Sequence, residues 1–434
     1  MSLPDSPEFL AGVIEGFYGP PWSHAERLQA FAWLRAAGLN TYVYAPKDDL
    51  HHRAHWREPY NAEDGGRLAA LVHEARRHGL RFVYALSPGL DLRPGDPADL
   101  ALLRRRGEQL LAFGIEHFAL LFDDIPERFD TGSIASVHCS TTNHFFLWLR
   151  EQLPTVRLAF CPTPYCGRMA ERGVGEPGYL EAVGRELLPE IDVFWTGPEI
   201  ISRELTVAHV HKVAGKLRRQ PLIWDNLFAN DYDGRRFFCG PYTGRSSALP
   251  GAVRGLLLNP NTEFPLNFVA LHTLGAYVRD PAAYEPRAAY LAALRAWWPH
   301  FATVGAPLAW EDFVLFGDCY YLPYEDGPEA AALFERVRAA LTAKPAPAVR
   351  AQIGRLRDFC ARLTELKDRP LFYALSRRAW ELREELDLLD RYLASSARLV
   401  ASDFHLPGTY RGGFVPRLQR LLAPQPDGGF APPP

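Results

Sequence analysis

Short and nearly unbroken apolar runs punctuate the first two-thirds of the chain, at 11–15, 41–45, 81–86, 117–122, 156–161, 192–196, 221–224 and 255–258. These runs do not alternate polar with apolar, the pattern of parallel strands buried on both faces. Successive starts lie about 30–40 residues apart, the length of one strand–helix unit. Helical signals fill the intervals. Ser23 opens a pattern over 23–37, with Glu26 three residues on and Gly38 as the stop; 63–78 ends before Gly79, and 97–113 begins at Pro97 and ends before Gly114. Eight β-then-α units predict an α/β fold, a closed (β/α)8 TIM barrel. An open doubly wound sheet is the alternative, but near-equal units without a Gly-x-Gly-x-x-Gly turn favour closure.

Beyond 280 the strand signal stops. Segments 281–298, 328–341, 349–366 and 370–399 read as helices rich in Ala, Leu and Arg, and the last places Trp380, Leu382, Leu386, Leu389 and Leu393 on a related face. The organisation predicted is a barrel over 1–280, an all-α helical domain over 281–421 and a disordered Pro/Gly-rich tail over 422–434.

Composition narrows what such a chain does. Of 434 residues, 47% are hydrophobic and 23% charged, enough to bury a sizeable core. Lys and Arg total 48 against 51 Asp and Glu, so the net charge of −3 carries no footprint for nucleic acid or an anionic membrane. No apolar stretch reaches the roughly 18 residues of a membrane helix, and the first ten residues lack the basic-then-apolar pattern of an export signal. The expectation is a soluble, cytoplasmic protein. Among the six cysteines only Cys161 and Cys166 are close, with no second pair to complete a zinc site, so buried thiols are expected.

In such a barrel, active residues sit at the carboxyl ends of strands. Those tips read Glu15-Gly16-Phe17-Tyr18-Gly19, Pro46-Lys47-Asp48-Asp49, Asp123-Asp124, Thr163-Pro164-Tyr165, Thr196-Gly197, Asp225-Asn226 and Asn259-Pro260-Asn261. Any one polar tip is explained by a solvated turn or a helix cap, but their convergence is not. Asp123-Asp124 is the sharpest feature. Repulsion between neighbouring carboxylates is expected to raise the pKa of one, a condition for a general acid, and alternation should point the two in opposite directions. The competing reading is a cap, or a pair with Arg128 or Lys47. His51, His52 and His55 lack a metalloprotease Glu and read as surface histidines. Aromatic residues crowd the same loops: Phe17, Tyr18, Trp22, Trp56, Tyr60, Tyr165, Trp195, Trp224, Phe228 and Tyr232. Aromatics beside amides and carboxylates suit a sugar ring; Trp22 and Trp56 are the best candidates for packing alone.

The chain resembles the family-84 glycoside hydrolases, the O-GlcNAcases. The resemblance rests on Gly12-Val-Ile-Glu-Gly-Phe-Tyr-Gly19, Asn40-Thr-Tyr-Val-Tyr-Ala-Pro-Lys-Asp-Asp49, His52-Arg-Ala-His-Trp-Arg-Glu58, Leu86-Ser-Pro-Gly-Leu-Asp91 and Phe118-Ala-Leu-Leu-Phe-Asp-Asp124. Trp195-Thr-Gly-Pro198, Trp224-Asp-Asn-Leu-Phe-Ala-Asn-Asp231, Gly240-Pro-Tyr242 and Asn259-Pro-Asn261 extend it over roughly 10–280. It implies retaining hydrolysis of terminal β-linked N-acetylglucosamine, in which the substrate's own acetamide attacks the anomeric carbon to give an oxazoline. By motif position, Asp123 would orient the acetamide and Asp124 would serve as acid, then base. Gly16 would offer its carbonyl, Lys47 would bind hydroxyls, Tyr165 would support the acetamide oxygen and Trp224 would wall its pocket. Asn226 and Asn259 would bind the sugar near the glycosidic oxygen, and Asp231 the 4- and 6-hydroxyls. No cofactor or metal is implied. Pro20 and Pro164 depart from the basic and acidic residues usual there, and the chain resembles a minimal form, without the family's extra domains. A homodimer through the helices near Trp380 is the expected assembly. Two other readings stay open: a conventional two-carboxylate retaining glycosidase with Asp124 as acid and Asp225 as nucleophile, and a non-catalytic carbohydrate-binding barrel.

Overall fold

All eight apolar runs become parallel strands of one closed barrel. The computed structural model describes residues 9–93, 95–125, 133–340 and 346–394, with 423–424 and 430–431. The strands are Leu10–Glu15 (β1), Thr41–Tyr44 (β2), Arg81–Leu86 (β3), His117–Leu121 (β4), Arg157–Cys161 (β5), Asp192–Trp195 (β6), Leu222–Asp225 (β7) and Gly255–Leu258 (β8). Each pairs with its sequence neighbours, and β8 closes on β1 with Leu10 opposite Gly255 and Val13 opposite Leu258. Side chains such as Ile14, Val43, Val83, Ala119, Phe194 and Leu257 fill the interior. Intervening residues, among them Val13, Tyr42, Tyr84, Leu120 and Leu256, pack outward against the helices. Apolar residues on both faces are what made the runs continuous in sequence.

The helix His24–Ala37 starts on the expected capping box, Ser23 and Glu26 each satisfying the other's backbone, and stops at Gly38 with φ 76°. Among the described residues, the helix Phe268–Arg279 is followed by five more: Pro286–Trp297, Trp310–Asp318, Pro328–Ala340, Pro347–Arg362 and Arg369–Ala394. Trp310–Asp318 was not legible, because its Phe-Val-Leu-Phe run is too short and too uniformly apolar to show a helical period. In Arg369–Ala394, Leu386 and Leu393 are buried and Leu382 and Leu389 pack against the core, but Trp380 faces outward. At about 100° per residue, Trp380 lies about 120° around the helix from Leu386, and Ala379 takes the buried position instead. The expected tail and residues 395–421 lie outside the described residues, apart from an antiparallel pair of Ala423–Pro424 with Phe430–Ala431. Among the described residues no helix is long and apolar enough to cross a membrane.

Candidate active site

The carboxyl ends of the strands open onto a cavity of about 780 Å³. The period-2 rule that fills the barrel also builds the floor of this mouth. One step past the last interior side chain, the next inward position is Gly16 after Ile14, Lys47 after Ala45, Asp123 after Leu121, Asn226 after Trp224 and Asn259 after Leu257. Tyr165 and Asp231 reach in from loops. Gly16, Lys47, Asp123, Asp124, Tyr165, Trp224, Asn226, Asp231 and Asn259 all line this one cavity.

Asp123 forms part of the floor. The Lys47 ammonium pairs with its Oδ2, and both side chains are almost wholly buried. Burial alone pushes the Asp123 carboxyl up, but the charge and hydrogen bond of Lys47, with Arg53 behind, outweigh it and hold the pKa below the ordinary value. The repulsion expected between the neighbours therefore does not raise Asp123. It remains an anion, and its buried Oδ1 accepts no hydrogen bond from any described group. Arg128 lies outside the described residues.

Asp124 departs from the expected alternation. Its φ of 49° is in the left-handed region, a conformation aspartate tolerates and one that clusters at functional sites. Instead of facing the helices, it lines the cavity beside Asp123. Tyr18 donates its hydroxyl to Asp124 Oδ2 at 3.0 Å, and Tyr165 donates to Oδ1 at 2.9 Å. Burial, then the Asp124 charge, push both phenols upward, so they stay protonated donors. Arg53 donates to the Asp124 carbonyl at 2.6 Å and to the Tyr18 hydroxyl at 2.7 Å.

Amides line the other wall. Asn259 donates to Asn226 Oδ1 at 2.9 Å, Asn226 donates to the Ile200 carbonyl at 2.8 Å, and Asn259 Oδ1 is a buried acceptor with no partner among the described residues. Asp231 Oδ2 accepts the Tyr18 N–H at 3.0 Å. Trp224 stands edge-on to Phe194, and a Cβ on Gly16 would come within 2.4 Å of its ring, so this close approach requires glycine.

Three acidic tips turn away from the mouth, Glu15 and Asp225 by parity and Asp49 because the chain turns at 47–48 after β2. Glu15 takes two hydrogen bonds from Arg27 and one from Tyr42. Asp49 accepts the Tyr44 and Tyr60 hydroxyls. Asp225 is 1% exposed, held by Arg245 on both oxygens and by Tyr242 at 2.8 Å. Asp225 is thus unavailable as a nucleophile. His52 is not a surface histidine: it is fully buried, bonded at Nδ1 to the Ala85 carbonyl, and burial with nearby Lys47 pulls its pKa down to about 4. It follows the buried Lys47–Asp123 pair inward, whereas His55 meets Glu58 at the surface.

Of the flagged aromatics, Tyr18, Tyr165, Trp224 and Tyr232 reach the cavity, while Trp22, Trp56, Trp195 and Phe228 are packed away. Sequence reasoning missed Cys161 and Phe194, whose inward parity could have found them, and also Ile200, Ile201 and Tyr324. Tyr324 arrives from beyond the barrel and donates to the Ile201 carbonyl; no strand tip announces it. Pro20 and Pro164 do not line the cavity. Among the described residues no cluster of His, Cys, Asp and Glu is arranged to hold a metal ion.

A closed parallel barrel carries neighbouring carboxylates, amides and aromatic walls in its mouth, an arrangement that suits a sugar ring. The family model for β-N-acetylglucosaminidase matches residues 11–304, and the chain belongs to that family, glycoside hydrolase family 84. Protein O-GlcNAcase from Rattus norvegicus and from Mus musculus are each 45% identical to it over 278 residues, 63% of this chain and 30% of theirs. The chain therefore spans under a third of the length of these relatives. A solved mutant of the Thermobaculum terrenum O-GlcNAc hydrolase matches with a TM-score of 0.77 and 28% identity, over 88% of this chain and 83% of that one.

Proposed function

We propose that this chain hydrolyses terminal β-linked N-acetylglucosamine of the O-GlcNAc type, with retention, through substrate assistance. The observation that carries the reading is the Asp123 carboxylate, fixed at Oδ2 by Lys47 with a buried, unused acceptor at Oδ1. That acceptor suits the N–H of a 2-acetamido group. Holding the N–H orients the acyl oxygen towards the anomeric carbon and raises its nucleophilicity. The acyl oxygen then bonds to C1 as the C1–oxygen glycosidic bond breaks, Asp124 delivers its proton to the leaving oxygen, and the N–H of the resulting protonated oxazoline stays paired with the Asp123 carboxylate. In the second half, Asp124 takes a proton from water, which attacks C1 and opens the oxazoline. To reach the glycosidic oxygen, Asp124 must exchange one of its two tyrosine partners. Trp224 walls the acetamide, Asn226 and Asn259 hold the sugar near the scissile bond, Gly16 and Lys47 meet hydroxyls, and Asp231 takes the 4- and 6-hydroxyls.

The locked Asp225 argues against the conventional two-carboxylate scheme. Six unbridged cysteines support a reducing, cytoplasmic setting. Exposed Tyr373 and Trp380 on Arg369–Ala394 support a second copy docking there.

The test is a thiazoline fused to the pyranose, which mimics the oxazoline. It should compete with an aryl β-N-acetylglucosaminide and bind at least about 10²-fold tighter than substrate, while aryl β-glucosides, lacking the acetamide, stay uncleaved. Cleavage of both sugars at similar rates, without inhibition, would sink the proposal.

A further inference from the structure

We propose that Arg378, in the helix Arg369–Ala394, is a positioning residue for Asp231 and so for recognition of the sugar at C4 and C6. This rests on the role of Asp231 proposed above. Arg378 is buried, and its Nη2 lies 2.6 Å from Glu263 Oε1, in the segment that follows β8. The other oxygen of that carboxylate, Oε2, accepts from Thr262 Oγ1 at 2.8 Å and from Asn230 Nδ2 at 3.2 Å. Asn230 is almost fully buried; it also donates to the Arg236 carbonyl at 3.0 Å and accepts the Thr262 N–H at 2.8 Å. The next residue is Asp231, whose carboxylate enters the cavity and accepts the Tyr18 N–H.

An ion pair that only fastened the helix to the barrel would end at Glu263. Here the second carboxylate oxygen ends on the side chain that closes the Asp231 loop. The charge-assisted bond from Arg378 fixes the rotamer of Glu263, which holds Asn230 and thereby fixes where Asp231 stands. The helices after the barrel thus help to shape the sugar site without touching the sugar.

The experiment compares aryl β-N-acetylglucosaminide with its C4 epimer, the N-acetylgalactosaminide. Arg378→Met should raise KM for the first about 5–10-fold with kcat held within about twofold, and reduce the preference over the epimer by a similar factor. Arg378→Lys should restore most of both. Asn230→Ala should produce the same shift, and the double variant should be no worse than either single one, because both cut one relay. Additive losses with an intact epimer preference would mean a purely structural contact and overturn the proposal. Should Arg378→Met fail to fold, Asn230→Ala decides alone: unchanged KM and epimer preference overturn the relay. Asp231→Ala separates the two layers. If it keeps the preference, the reading of Asp231 fails and the relay with it; if it loses the preference while Arg378→Met keeps it, only the relay fails.

Discussion

Asp124→Asn should lower kcat/KM towards a serine-linked N-acetylglucosaminide by about 10²–10⁴-fold, the usual worth of a positioned general acid. The alkoxide of serine is a poor leaving group and needs its proton as the bond breaks. A nitrophenolate leaves almost unaided, so the same variant should lose far less kcat/KM on a nitrophenyl glycoside. The geometry gives the reason for placing the acid here. The left-handed turn at Asp124 brings its carboxyl into the mouth beside Asp123, and two tyrosine hydroxyls fix both oxygens. Asparagine keeps that shape but has no proton of the right acidity to give. Steady-state rates across a series of aryl leaving groups check this, and a loss independent of the leaving group would contradict the assignment.

Arg245→Met should cost about 3–5 kcal/mol of stability, the range for breaking a buried pair by removing one partner. Arg245 and Asp225 are 0% and 1% exposed. All five guanidinium N–H groups are used: two on Asp225 and three on the carbonyls of Ser202, Arg203 and Thr243. Methionine would strand a buried carboxylate and three acceptors at the tip of β7, between Trp224 and Asn226. Urea unfolding measures the difference. A loss below about 1 kcal/mol, near that of an exposed pair, would mean that Asp225 is not held as described.

Much of this was legible because one rule governs both barrel and site. Side-chain alternation along a parallel strand makes the core runs continuous, and carried one step further it selects Lys47, Asp123, Asn226 and Asn259. What escaped was set by contacts that alternation does not see. The positive φ of Asp124 reverses its direction. Lys47 decides the charge of Asp123 from another strand. His52 looked like one of three surface histidines until packing buried it. Tyr324 reaches the mouth from a turn between two helices beyond the barrel, and Arg378 acts on it through Glu263 from a helix whose sequence carries only amphipathic spacing. Trp380 shows the same weakness in reverse, since an apolar residue two positions off the stripe faces outward.

The central claim is that the nucleophile belongs to the substrate. It is tested most directly by aryl β-glucosaminides whose N-acetyl group carries zero, one, two or three fluorines. Each fluorine withdraws electrons from the acyl oxygen without blocking the Asp123 contact to N–H. With the acetamide as nucleophile, kcat/KM should fall stepwise along the series, by about tenfold or more overall, corresponding to about 1.4 kcal/mol or more of lost transition-state stabilisation. A flat series would contradict it and return the nucleophile to the protein.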